Sequence, residues 1–368
     1  TNREVLAADP GLRAALQAND GLDRLSGERH GAIRLGTADE LATMRRMFAV
    51  LGMQPVGYYD LSVAGIPVHS TAFRPVDPRA LATNPFRVFT SLLRLDLLPG
   101  DLRAETEAAL AARDIFQPEA RRLLAVAEAG GGLSPEDGRA FVDALLETFR
   151  WHSDAPVSAA LYEKLAAAHR LVADVASFRG PHINHLTPRT LDIDAVQAAM
   201  PENGIVPKAV IEGPPRRACP ILLRQTSFKA LEEPVRFACG REGHHTARFG
   251  EIEARGAALT PKGRALYDRL LAEARARVLP APDGSNAGSY VAALEGAFAQ
   301  FPDDWETMRQ EKLAFFRYGV AGPGCVEAEG VEEDADIDRL VARGVLRADP
   351  IVYEDFLPVS AAGIGAAW

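Results

Sequence analysis

Two runs of this chain carry a histidine followed four residues later by an arginine, His30-Gly-Ala-Ile-Arg34 and His185-Leu-Thr-Pro-Arg189. The histidines lie 185 − 30 = 155 positions apart, and the same offset aligns Ser70-Thr-Ala-Phe-Arg74 with Gln225-Thr-Ser-Phe-Lys229. Thr71 then matches Thr226, Phe73 matches Phe228 and Arg74 matches Lys229, which points to a repeated unit with a histidine on its first strand. Side chains alternate along a strand, so His30, Ala32 and Arg34 share one face, as do His185, Thr187 and Arg189, and as do Glu251 and Glu253 on a later strand. If the two units pair about a pseudo-twofold axis, their first strands become neighbours and His30 meets His185. Two imidazoles and one carboxylate on one side of a metal form the facial arrangement of non-haem Fe(II) oxygenases. Zinc accepts the same ligand types.

A lone strand histidine is more often structural than ligating. Two of eight histidines at equivalent repeat positions shift the balance toward His30 and His185 as metal ligands. His182 competes with His185, but its parity assigns it to the opposite face of a regular strand. His69 competes with His30 because it directly precedes the matched Ser70–Arg74 run. Of the two glutamates, Glu253 is the preferred ligand, with Glu251 supporting it or touching substrate. His244 and His245 read as a surface loop pair. Arg34 shares the face of His30, where a guanidinium suits a substrate carboxylate; the competing reading is a salt bridge to Glu251 or Glu253.

These residues need elements to carry them. Residues 2–25 read as helical and 28–36 as a strand. Thr37-Ala-Asp-Glu40 is a capping box that opens a helix to about Leu51, closed by Gly52. Residues 54–63 and 66–75 are strand-like, which completes a β-α-β-β unit spanning residues 1–75 with its leading helix. Residues 76–178 are rich in Ala, Leu, Glu and Arg and read as a helical insertion, with a helix start at Ser134-Pro-Glu-Asp137. The β-α-β-β order returns over 179–260, with strands at 182–187, 207–212, 221–230 and 246–255 and a helix at 192–200. Residues 261–368 form a mixed C-terminal extension. The fold class is therefore α+β.

Composition limits the functions available. Among 368 residues, 41 basic against 50 acidic give a net charge of −9, which disfavours nucleic acid and anionic membrane as main partners. Three cysteines without metal-type spacing suit a reducing compartment. No apolar run approaches 18 residues and no charged-then-apolar leader is seen, so a cytoplasmic protein without membrane spans is expected. Nothing in the sequence sets an oligomeric state.

The runs Arg29-His-Gly-Ala-Ile-Arg34, His182-Ile-Asn-His-Leu-Thr-Pro-Arg189, Arg248-Phe-Gly-Glu-Ile-Glu-Ala-Arg-Gly256 and Phe356-Leu-Pro-Val-Ser-Ala-Ala-Gly363 resemble the 2-oxoadipate dioxygenase/decarboxylase (hydroxyglutarate synthase) family of the vicinal oxygen chelate superfamily. The resemblance spans nearly the whole chain. It implies two vicinal oxygen chelate-like modules forming a cupped sheet. It further implies an Fe(II) enzyme of lysine catabolism that turns 2-oxoadipate and O2 into 2-hydroxyglutarate and CO2. Its metal site would fall on His30, His185 and Glu253, its substrate arginine on Arg34, and its substrate-contacting backbone on Val359 and Ser360. His69 and Arg74 are reserves for the distal carboxylate. Rival readings are a metal-dependent lyase, isomerase or thiol transferase on the same scaffold, and a non-catalytic small-ligand-binding protein.

Overall fold

The computed structural model describes residues 1–18, 21–228, 232–246, 250–281, 283–322 and 336–356. Its centre is a five-stranded sheet in the order Gln54–Asp60, Val68–Arg74, Phe86–Leu93, Arg29–Leu35, Leu186–Pro188. Arg29–Leu35 runs parallel to Phe86–Leu93, and every other pairing in this sheet is antiparallel. The helix Ala38–Val50 connects Arg29–Leu35 to Gln54–Asp60. Its Thr37 side chain accepts from the Glu40 backbone N–H while the Glu40 carboxylate reaches back to the Thr37 N–H, as the capping box requires. Gly52 follows with a φ of 76°, where a side chain would be strained.

The reading of residues 76–178 as wholly helical is corrected by Phe86–Leu93. This run, Phe-Arg-Val-Phe-Thr-Ser-Leu-Leu, is buried almost throughout because both of its faces are covered. A central strand of this kind has no alternation to betray it. The first unit is thus β-α-β-β-β rather than β-α-β-β. True helices follow, at Gly100–Ala111, Pro118–Gly130, Pro135–Thr148, Ala159–Ala168 and Arg170–Ser177.

The second unit meets the first at the strand Arg29–Leu35. Its first strand is only Leu186–Pro188, shorter than the expected 182–187 and preceded by irregular chain. The helix Ile193–Ala199 follows, and then Leu223–Phe228 pairs antiparallel with Gly250–Arg255. Residues 207 and 212 bridge to Phe228 and Gln225 on the outer edge, and Arg189 bridges in parallel to Glu253 on the inner one. The first strands of the two units therefore lie side by side, with His30 opposite Thr187. At the end of the Glu253 strand, Gly256 passes so close to Pro220 that a Cβ would come within 2.2 Å of its carbonyl carbon, a place only glycine fills without a shift.

One face of the large sheet packs Ile33, Leu35, Phe73 and Val88 against Met44 and Phe48 of the capped helix and against the insertion helices. The opposite face presents Ala32, Val68, Ala72 and Phe89 to Leu165, Val172 and Phe356. Each such Phe or Leu contributes about 1.5–3 kcal/mol on burial, so the strands at the join are held rigidly from both sides. A separate core under Ile221 and Ala257 joins the second unit to helices Pro261–Arg277 and Ala287–Phe298. No helix among the described residues is long and apolar enough to cross a membrane.

Candidate metal centre

His30 and His185 meet at the join. Their ring centroids are 5.2 Å apart and nearly perpendicular, and both side chains are fully shielded from solvent. The carboxylate facing the two rings is that of Glu251. Its Oε1 lies 2.8 Å from His30 Nε2 and 3.5 Å from His185 Nε2, and these three ligand atoms all fall within 4.8 Å of one another. Two imidazole nitrogens and a carboxylate oxygen in a dry pocket match the donor set of a divalent first-row metal, so the residues present fit such an ion.

Glu253, the glutamate preferred on sequence, stands on the other side of the His30 ring. Its Oε2 is 2.7 Å from His30 Nδ1, and Arg255 clamps its two oxygens through Nε and Nη2 at 2.7 and 3.1 Å. The strand explains the two settings. Glu251, Glu253 and Arg255 all point inward, but Arg255 sits two residues beyond Glu253 and takes up its carboxylate, leaving Glu251 to face the imidazoles. Thr187 donates to Glu251 Oε1 at 2.6 Å and orients it. A carboxylate on the far nitrogen of a ligating histidine is the usual way to fix its ring and tautomer.

Charge follows the same geometry. Burial alone would drive His30 toward its neutral form, but the Glu253 and Glu251 carboxylates outweigh it and raise its pKa to about 9. His185 is lowered to about 4 by burial, against the pull of Glu251 and aided by the nearby positive groups His30 and Arg34. Burial would raise Glu251, yet His185 and His30 hold it below the ordinary carboxylate range. Burial and the two carboxylates thus set the imidazoles apart, with His30 favoured in its charged form and His185 in its neutral one.

Arg34 forms its ion pair with Asp174, not with Glu251 or Glu253 as the competing reading held. Asp174 also accepts from His245 Nε2 at 2.8 Å, and His182 Nε2 lies 3.4 Å from the same oxygen. His182 is buried against Trp151 and Phe178, and the chain there is irregular rather than the regular strand the parity argument assumed. His245 corrects its reading as a surface residue. It is buried, ends the strand Glu242–His245, and hydrogen-bonds Tyr162 at 2.9 Å as well as Asp174.

His69 projects from the other face of its strand. It is half-buried against Tyr58, 5.5 Å between centroids, and does not join the site. Arg74 ends the same strand and donates to the Pro75 carbonyl; its charge couples to Glu354, Arg87 and Asp355 rather than to the imidazoles. Val359 and Ser360 lie outside the described residues. The segment leading to them is tied down, however. Glu354 pairs with Arg24 and Arg87, Asp355 accepts from Tyr59, Arg255 Nη1 donates to the carbonyls of Tyr353 and Asp355, and the Phe356 ring stands 5.2 Å from that of His30.

Sequence reasoning missed Asp174, His245, Thr187 and Arg255. Two signals were available. Asp174 is the lone acid in a helix whose residues Leu171–Ser177 are all buried, and Glu-Ile-Glu-Ala-Arg alternates with its charged residues on the buried parity.

The mixed α+β fold and the buried two-imidazole, one-carboxylate cluster define the class of molecule: an α+β protein built around a metal-type donor set. A solved glyoxalase superfamily protein from Ralstonia eutropha JMP134 shares the fold at TM-score 0.52 and 22% identity, over 69% of this chain and 80% of that one. Within that class, residues 1–366 match the family model 2-oxoadipate dioxygenase/decarboxylase, and the chain belongs to that family. It is 57% identical over 366 residues to the 2-oxoadipate dioxygenase/decarboxylase of Pseudomonas putida, covering 99% of this chain and 79% of the relative. The crystal structure of the Pseudomonas putida hydroxyglutarate synthase in complex with 2-oxoadipate is similar at TM-score 0.94 and 56% identity, over 99% of this chain and 81% of that one.

Proposed function

We propose that this chain is an Fe(II)-dependent enzyme that converts 2-oxoadipate and O2 to 2-hydroxyglutarate and CO2, a step of lysine catabolism. The fold on this reading is a pair of vicinal oxygen chelate modules with a helical insertion and a C-terminal extension. The observation that carries the proposal is the convergence of His30, His185 and Glu251 at the join of the two units, in a chain of this family.

The reaction balances without an external reductant. Loss of the carboxyl carbon as CO2 turns the keto carbon into a new carboxylate, and hydroxylation of the remaining chain takes the second oxygen atom. Bound at the cluster, the metal would supply Lewis acidity and a template for the 2-oxo acid and O2. Glu253 holds the His30 proton at Nδ1, which turns Nε2 toward the cluster, and Arg255 keeps Glu253 ionised for that task. Thr187 holds Glu251 from the side. Arg34 binds a substrate carboxylate by a charge-assisted pair. Phe356, packed on the His30 ring and backed by Phe89, keeps water from the reacting carbon.

The test is product formation by the Fe(II)-loaded protein with 2-oxoadipate in air and under nitrogen. One 2-hydroxyglutarate per O2 consumed is expected in air, and none under nitrogen. Turnover without O2 would favour a lyase or isomerase, and absence of any turnover would leave a binding protein.

A further inference from the structure

A single buried carboxylate, Asp174, ties together three parts of the molecule that the repeat does not join. It pairs with Arg34 on the first strand of the first unit, with His182 on the irregular approach to the second, and with His245 on the hairpin Glu233–Phe237/Glu242–His245, which belongs to neither unit. Tyr162, from the helix Ala159–Ala168, holds His245 by its other nitrogen, and Trp151 and Phe178 enclose both histidine rings. Asp174, His182 and His245 are all at least nine-tenths buried.

A buried ion pair of this sort is a poor source of stability compared with apolar packing, so its value lies in what geometry it fixes. Arginine has a long, flexible stem, and holding its planar fork in place before the ligand arrives removes an ordering cost from binding. Arg34 is the group that needs such holding. It stands on the His30 face of its strand, four residues on in the same register.

Resting on the role assigned to Arg34 above, we propose that Asp174 is a positioning residue that aims the Arg34 guanidinium at the substrate carboxylate, and that His245, braced by Tyr162, sets the orientation of Asp174. The hairpin outside the repeat is then part of the substrate-recognition machinery, although none of its residues touches substrate.

The experiment is a double-mutant cycle on the iron-loaded enzyme with 2-oxoadipate, reading kcat, KM and iron content for R34A, D174N and the double variant. An effect carried through a contacting residue disappears once that residue is gone. We expect R34A to lower kcat/KM about 100-fold and D174N about 10-fold, both chiefly through KM, with the double variant within about twofold of R34A. Iron content stays at the wild-type level throughout. If D174N does not fold, H245Q replaces it in the same cycle, with a smaller rise in KM and the same loss of effect on the R34A background. D174N kinetics equal to wild type, or penalties that multiply in the double variant while R34A alone is impaired, would overturn the positioning role. Wild-type kinetics in R34A would instead remove Arg34 from substrate binding, and the inference with it.

Discussion

The two runs of strands that meet at the join correspond in register and differ in chemistry. In the first, Arg34 and Ser70 both lie opposite Ser91; in the second, Arg189 and Gln225 both lie opposite Glu253. The 155-residue offset of strands one and three becomes 253 − 91 = 162 on strand four. On that alignment Glu251 stands where the first unit has Phe89, and Glu253 where it has Ser91. The histidine is kept in both units, whereas the carboxylates occur in one. A symmetric frame brings two imidazoles together, and a broken symmetry supplies a single carboxylate side, leaving Phe89 as an apolar wall opposite. The matched arginines diverge likewise: Arg34 pairs with Asp174 near the cluster, and Arg189 pairs with Glu28 in a buried network with Arg24, Arg87 and Arg255.

The largest expected effect tests the element both units keep. His185→Ala and His30→Ala each should lower 2-oxoadipate turnover by about a thousandfold or more, since a three-ligand site rarely survives loss of one donor. Steady-state rates at saturating Fe(II) check this; either variant within tenfold of wild type would break the equivalence of the two histidines.

Next comes the asymmetry within strand four. Glu251→Gln should abolish tight metal binding, while Glu253→Gln, acting through His30, should weaken it about 10- to 100-fold. Metal titration of both variants separates ligand from support, and the reverse order would restore the assignment preferred on sequence.

How much of this was legible in advance follows from where the signals lay. The repeat was readable because matched residues occupy strands one and three, and the capping box and Gly52 placed the first helix correctly. Phe86–Leu93 was hidden because a doubly buried strand has no alternation. The different settings of Glu251 and Glu253 were not legible because parity puts both inward and cannot report that Arg255 clamps one of them. The pairing of Asp174 with His245 was out of reach because it joins residues 71 positions apart through a hairpin outside the repeat.

The divergent arginines give a third comparison. Arg34→Ala should raise KM for 2-oxoadipate about 100-fold with metal content unchanged. Arg189→Ala should leave KM near wild type and cost about 1–3 kcal/mol of stability, since Glu28 loses one charged hydrogen bond but keeps Arg24, Arg87 and Arg255. Kinetics and denaturant unfolding of the two variants distinguish them, and a matching phenotype would contradict the division of labour.

The smallest effect is on pH. The His30 pKa is raised above its unfolded value of about 6.5. In the metal-free protein its contribution to stability is therefore full below that value and is lost as pH rises through about 9. A metal must displace that proton, so binding near pH 7.5 should release close to one proton per ion, and His30→Ala should release fewer. Calorimetry in buffers of different ionisation enthalpy measures this, and proton-neutral binding by the wild type would contradict the charge state assigned to His30.

The central claim is that the join of the two units holds the metal through His30, His185 and Glu251. Anomalous diffraction at the iron edge from crystals of the Fe(II)-loaded protein tests it most directly. The account predicts one peak per chain among His30 Nε2, His185 Nε2 and Glu251, with Glu253 turned to His30 Nδ1 and Arg255. A peak elsewhere, or iron bound by Glu253 with Glu251 standing off, would contradict it.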